Sequence, residues 1–212
     1  MPRTAPFEAH HQRYEAWFEK HRAAYVSELL ALRPFVPWEG RGLEIGVGSG
    51  RFAAPLGVPV GVDPSPAMLA RAAQRGVEVV AGVAENLPFA TGVFDYALVV
   101  TTICFVDSPA QMLAEAHRVL KPGARLVIGF IDRESALGQE YLAHQAESVF
   151  YREATFYSAG EVARLLQENG FSVDAWGQTL ARPLPETREI EPLRTGWGQC
   201  AFVVVAATRK RW

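Results

Sequence analysis

An α/β fold built on a parallel sheet is the architecture this sequence predicts, and three observations predict it. Short apolar runs alternate with helical segments between residues 41 and 131, the pattern of strands joined by right-handed crossovers. The first run, residues 43–50 (LEIGVGSG), passes into glycines on alternate positions, Gly46, Gly48 and Gly50. The second, residues 58–62 (VPVGV), ends on an acid, Asp63. Glycine after a strand permits positive φ and lets a ligand lie against bare backbone. A helix beginning there would aim free N–H groups at an anion. An acid ending the second strand is placed to accept hydrogen bonds from ribose hydroxyls.

The elements follow in order. Residues 1–40 read as helix, because Tyr14, Trp17, Phe18, Tyr25, Leu29 and Leu32 recur at spacings near three, four and seven. Residues 33–40 (RPFVPWEG) end it, since prolines remove donors and bias their predecessors away from helix. Glu44 stands before the first glycine and adds a carboxylate that would favour a cationic group. A dinucleotide fingerprint needs glycine at the sixth position, where this chain has Arg51. Residues 51–56 leave room for little more than one helical turn, with Pro55 inside it. Ser65 is a plausible N-cap for a helix over Met68 and Leu69, with Pro66 in its first turn.

A third strand spans residues 77–82 (VEVVAG) and leads into VAENLPF; a fourth, 94–100 (FDYALVV), leads into TTICFVDSP. The turn in VLKPG suits type II geometry, with proline second and glycine third, and a fifth strand, 125–131 (RLVIGFI), follows it. Residues 134–150 read as a helix. Ser158 and Glu161 form a capping box for a helix through Leu165 and Leu166, stopped at Asn169 and Gly170. FSVDAW and AFVVVAAT then read as strands, separated by a polar, proline-containing stretch, 181–198.

Taken together, the acid followed by G-x-G-x-G, Asp63 after the second strand, and the later segments in their order resemble class I S-adenosylmethionine methyltransferases of the methyltransferase-11-like group. The resemblance covers residues 43–131 strongly and the remainder more loosely. It implies a Rossmann-like doubly wound sandwich, with a seven-stranded, mostly parallel sheet ending in an antiparallel hairpin. It further implies one domain over 1–212: a helical cap (1–40), a cofactor-binding half (41–131) and an acceptor-side half (132–212).

The same resemblance assigns cofactor contacts. Gly46, Gly48 and Gly50 would approach the methionine portion of S-adenosylmethionine, and Glu44 would orient its amino end or cap nearby backbone. Asp63, followed by Pro64, would bind the ribose. Met68 would lie against the adenine or simply pack helix on sheet, since a thioether suits an aromatic ring. Ala84 and Glu85 match the segment that reads the adenine edge. Val83 departs from the aspartate common in the family just before that alanine. Thr101 falls where class I enzymes place groups near the transferred methyl.

The expected chemistry is in-line attack by an acceptor on the sulfonium methyl, leaving S-adenosylhomocysteine. The protein then mainly aligns reactants and excludes water. TTICF after the fourth strand is not the asparagine–proline–proline–aromatic motif of enzymes acting on DNA amino groups or glutamine amides. A small-molecule acceptor remains, with Tyr14, Trp17, Phe18, Cys104 and Tyr141 as candidate walls beside Phe150, Tyr151 and Tyr157; core packing is the alternative for these aromatics. An NAD-dependent oxidoreductase and a non-catalytic S-adenosylmethionine-binding protein are the competing functions.

Composition narrows the classes. A net charge of −2 offers no broad phosphate-binding face, so nucleic acid is not an expected partner. Arg209 to Arg211 read as a solvated tail. Cys104 and Cys200 are too few for a disulfide framework or a metal cluster, so no metal is expected. His144 is a weak candidate base and His117 reads as surface. No early apolar segment reads as a signal peptide, and the run from 96 to 106 is too short to span a bilayer. A reducing cytoplasm and no membrane contact are the expectations.

Overall fold

The computed structural model describes residues 5–211. Three helices come first: α1 (Ala5–Ala9), α2 (His11–Lys20) and α3 (Arg22–Leu32). The continuous periodicity of the first forty residues is thus broken at His10 and His21, whose φ values of −122° and −112° leave helical geometry. The breaks let α2 bury Phe18 while α3 buries Ala24, Ser27, Glu28, Ala31 and Leu32.

The sheet contains β1 (Gly42–Ile45), β2 (Val60–Asp63), β3 (Glu78–Ala81), β4 (Phe94–Val100), β5 (Leu120–Ile131), β6 (Phe171–Thr179), β7 (Arg194–Thr195) and β8 (Phe202–Arg209). Its order is β3-β2-β1-β4-β5-β8-β6-β7. Strands β1 to β5 pair in parallel, and β8 runs antiparallel to both β5 and β6. The expected seven strands are present, and β7 is an eighth, pairing two residues with Gly177 and Gln178 at the edge. It lies within the polar, proline-containing stretch, 181–198, between the last two expected strands. Pro183, Pro185 and Pro192 precede it, and proline lacks the donor a ladder needs, so pairing is confined to a short edge piece.

Alternation along β4 shows how the sheet is covered. Ala97 and Val99 face a core shared with α6 (Pro109–Val119) and α8 (Ala159–Glu168). Tyr96, Leu98 and Val100 face the opposite core, with α2, α3, α4 (Ala53–Leu56) and α5 (Pro66–Gln74). Successive side chains point to opposite faces, so a strand buried on both sides reads as a continuous apolar run. Each fully buried Leu or Phe contributes roughly 1.5–3 kcal/mol.

Serines begin the longer crossover helices. Ser65 accepts from the Met68 N–H, Ser108 from Gln111, and Ser158 from Glu161 in a reciprocal capping box. Pairing jumps from Phe94–Leu120 to Tyr96–Arg125, and the intervening Lys-Pro-Gly turn accounts for the shift, with Gly123 at φ 80°.

Two local expectations are corrected. The helix expected over 134–150 is α7 (Ala136–Ala143), followed by a 3-10 turn (Gln145–Glu147). Gln145 ends it by donating through Nε2 to the carbonyls of Tyr151 and Ala154. Arg209 is no solvated tail: its Nη1 donates to the Leu120 carbonyl at 2.8 Å and its Nε to His117 Nδ1 at 3.4 Å. His117 is accordingly half-buried, edge-on to Phe171.

Candidate functional site

The strand order reverses between β1 and β4, which is where open α/β sheets bind ligands beyond the carboxyl ends of their strands. A cavity of about 290 Å³ opens there. The loops after β1, β2, β3 and β4 and the end of β5 all reach its wall, through Gly46, Asp63, Ala84, Thr101 and Ile131 respectively. The cap supplies the other side, through Tyr14, Trp17 and Phe18 on α2 and Glu28 on α3.

The glycine loop is packed for close approach. A Cβ on Gly46 would fall 2.3 Å from Thr102 Cγ2, and its φ is +72°. Gly48 is open apart from Tyr14, whose hydroxyl lies 3.5 Å from where a Cβ would stand. Gly50 lies outside the cavity wall. Its missing side chain lets the loop rest on α5, where a Cβ would come within 3.0 Å of Ala72 Cα. The helix expected near Gly50 starts three residues later, at Ala53.

Asp63 is held by the backbone around it. Oδ2 accepts from the Gly48 N–H at 2.9 Å and Oδ1 from Ser65 N–H at 2.8 Å. Burial pushes its pKa up, and these two donors oppose that rise. A carboxylate has about four acceptor positions, so lone pairs remain for a ligand. Glu44 is 1% exposed and behind the wall; burial, with the charge of Asp63, raises its pKa well above the ordinary carboxylate range. The Ala53 N–H serves its carboxyl, while Oε2 has no hydrogen-bond partner.

The remaining candidates divide clearly. Pro64, Met68, Ala84, Glu85, Thr101 and Tyr141 all reach the cavity. Glu85 also accepts through Oε1 from the Asp107 N–H at 2.7 Å, which fixes the loop before α6. Cys104 sits behind the wall among Ala154 and Phe156, with Sγ donating to the Thr101 carbonyl at 3.2 Å. His144 is exposed and does not line the cavity. Among the described residues, no group of three or more His, Cys, Asp or Glu side chains is placed to hold a metal ion.

Three features were not anticipated. Thr101 and Leu180 are the non-glycine residues at positive φ among those described, +50° and +66°, and both line the cavity. Such geometry is rare for a β-branched residue and clusters at functional sites. Phe7 and Phe105 also join the expected tyrosines into a chain of rings along the wall: Tyr14, Phe7, Phe105, Tyr151 and Tyr141 follow one another at centroid spacings of 5.7, 5.0, 5.7 and 4.9 Å. Third is Glu28, an acid 4% exposed in the wall. Its signal in the sequence was an acid whose helical neighbours, Ala24, Ala31 and Leu32, are apolar.

The cap is tied over this site by charge. Glu15 Oε2 lies 2.7 Å from Arg51 Nη2 and 2.6 Å from Arg75 Nη2, joining α2 to the glycine loop and to the end of α5. Arg51, the residue that breaks the dinucleotide spacing, is therefore a clasp. Glu8 on α1 reaches Ser65 at the start of α5.

Comparison with known proteins agrees with this geometry. A family described as Methyltransferase domain matches residues 43–128. A Thermotoga maritima crystal structure, described as a SAM-dependent methyltransferase and "possible histamine N-methyltransferase", is 50% identical over 97% of this chain and 99% of its own, with a TM-score of 0.94. An uncharacterized Methanocaldococcus jannaschii protein is 40% identical over 96% of this chain and 98% of its own. A Mesorhizobium loti S-adenosylmethionine-dependent methyltransferase shares the fold at 22% identity, with a TM-score of 0.67 over 86% of this chain and 98% of that one. The chain belongs to the S-adenosylmethionine-dependent methyltransferases. Within that family its sheet is the Rossmann-like, mostly parallel kind with an antiparallel ending, and no described helix is long and apolar enough to cross a membrane.

Proposed function

We propose that this protein transfers a methyl group from S-adenosylmethionine to a small-molecule acceptor. The observation that supports the reading most is that one cavity is walled on one side by Gly46, Gly48 and Asp63 and on the other by the aromatic cap. Donor and acceptor would thus share a water-poor space, and alignment is the main contribution required of the protein. The division of labour follows: residues 41–131 bind the donor, 132–212 with the 1–40 cap enclose the acceptor.

The residues present suit the donor. Asp63 has free lone pairs for ribose hydroxyls, the bare Gly46–Gly48 backbone admits the amino-acid portion, and the orphaned Glu44 Oε2 below it would orient the amino end. Pro64 and Met68 would border the adenine, and the Ala84 amide, followed by Glu85, its edge. Gly50 would act by seating the loop. Thr101 would border the methyl, and Cys104 would support it from behind. Tyr14, Trp17, Phe18 and Tyr141 would cover the acceptor. Bound S-adenosylmethionine supplies a methyl group on a cationic sulfur, which aromatic faces attract by about 0.5–2 kcal/mol.

Melting in the presence of S-adenosylhomocysteine, S-adenosylmethionine or NAD(H) tests this reading. A ligand at about 100 times its Kd adds about 2.7 kcal/mol, a visible shift. We expect it from the adenosyl ligands and not from NAD(H); the reverse would make the protein an oxidoreductase. Binding without turnover of any acceptor would make it a non-catalytic binder. Histamine, named for the Thermotoga relative, is the first acceptor to try.

A further inference from the structure

Resting on the methyl-transfer reading, we propose that Glu28 is the acceptor-binding carboxyl and that the acceptor is a small amine, which it receives as a cation and from which it takes a proton. Glu28 lies in the cavity wall, 4% exposed, yet among the described residues its carboxyl makes no hydrogen bond or ion pair. A carboxyl so buried, with no partner among the described residues, is costly to ionise until something in the cavity pairs with it.

The surroundings say what enters. Among the described residues, the groups that feel the charge of Glu28 are tyrosines: Tyr14 on α2, Tyr25 on its own helix, Tyr141 on α7, and Tyr151 in the segment beyond it. Tyr14, Tyr141 and Tyr151 belong to the ring-lined wall, and rings with one carboxyl are the chemistry that recognises an organic cation. An ammonium can pair with the ionised carboxyl, which neither an anionic nor an uncharged acceptor can do; Arg13 is the one cation in the wall among the described residues. Glu28 is also separate from the donor carboxylates: Asp63 and Glu44 interact with each other, and neither with Glu28.

Burial raises the Glu28 pKa to about 8, so the empty site holds its proton at neutral pH. An arriving ammonium expels that proton to water. One of the ammonium's own protons then passes to a Glu28 carboxylate oxygen, which bares the nitrogen lone pair. That nitrogen forms its bond to the methyl carbon as the carbon–sulfur bond breaks, and sulfur keeps the electron pair. The product leaves as a methylammonium. Glu28 retains the proton with which the empty site began.

The test uses calorimetry on the wild type and Glu28→Gln, an uncharged near-isostere that keeps the fold. S-adenosylhomocysteine is titrated first. The probes are then small arylalkyl amines, 2-phenylethylamine, tyramine and histamine, each set against an uncharged alcohol such as 2-phenylethanol. Titrations in buffers of different ionisation enthalpy read the protons released. We expect about one proton released per amine bound at pH 7 and none for the alcohols. Glu28→Gln should bind the amines about tenfold more weakly or worse, without that release and with unchanged S-adenosylhomocysteine affinity. Amines that bind no better than alcohols, or that bind Glu28→Gln as they bind the wild type, overturn the assignment. Loss of S-adenosylhomocysteine binding in both proteins overturns the methyl-transfer reading instead, and amine titrations without it still decide the role of Glu28.

Discussion

Asp63 and Glu28 are carboxyls in the wall of one cavity, and the fold treats them in opposite ways. Asp63 ends β2 and receives two backbone N–H groups, from Gly48 and Ser65. Glu28 projects from α3 and receives none from the described residues. The strand-end acid is therefore fixed in place by donors that favour its charged form against burial, while burial alone acts on the helical acid and raises its pKa to about 8. On the proposed reading, donor recognition would rest on the backbone and acceptor recognition on a side chain.

The harshest way to break the prepared side is Gly46→Ala. The new methyl must displace Thr102 while the backbone stays at φ +72°. Strain and overpacking together cost about 2–4 kcal/mol, so urea melts should shift by that amount and S-adenosylhomocysteine binding should collapse. A donor site that tolerates the methyl would contradict the close approach drawn from the loop.

Glu28→Gln probes the stored side and should act in the opposite direction. The folded pKa of about 8 lies above the ordinary 4.5, so the native state loses stability through Glu28 as pH rises between those values. Removing the acid should leave stability at pH 4 nearly unchanged and raise it at pH 8 by about 4 kcal/mol. Denaturant midpoints at the two pH values measure this; equal effects at both would remove the buried-acid account.

Asp63→Ala comes next. It strips an acceptor from the ribose side and two loop N–H groups at once, with losses of about 1.5–3 kcal/mol in S-adenosylhomocysteine binding and a smaller loss in the ligand-free melt. Asp63→Asn, which can still accept through one oxygen, should recover much of the melt and less of the affinity. Equal recovery of both would make Asp63 a loop fastener alone.

The clasp gives the smallest effect. Burial acts to raise the pKa of Glu15, but hydrogen bonding and the charges of Arg51 and Arg75 outweigh it and hold the carboxyl below 4.5. Its contribution is complete above that value and lost as pH falls through the lowered one. Glu15→Gln should cost about 1 kcal/mol at pH 7 and next to nothing at pH 3, with faster exchange of backbone amides in α2 when the clasp is gone. Unchanged exchange would mean that ring packing alone seats the cap.

The contrast between the two carboxyls also explains what could be read from the sequence. The cavity residues at the strand ends lie within contiguous strand–loop–helix units, so Gly46, Asp63, Met68 and Ala84 were visible as motifs. Strand β4 was legible to its ends because both faces are buried. The rest of the cavity wall is assembled from segments far apart in the chain, among them Phe7, Glu28, Phe105 and Leu180, and no local pattern joins them. Glu28 was passed over because the aromatic and leucine positions, Tyr25, Leu29 and Leu32, drew attention on α3, while the acid lies buried on the face it shares with Ala24, Ala31 and Leu32. The positive φ of Leu180 has no sequence signal at all, since glycine would have been expected there.

Strand β8 carries a consequence in time. It sits between β5 and β6, buried from Phe202 to Ala207, yet it follows every other strand in the chain. During synthesis, β5 and β6 emerge with a gap between them and matching edges unpaired. That half-open sheet is the species most exposed to wrong partners, because unpaired edges accept any strand. Folding of the whole sheet is therefore gated by the arrival of one short segment of valine and alanine. A chain cut just before Phe202 would retain the whole glycine loop and Asp63 but should accumulate in aggregates.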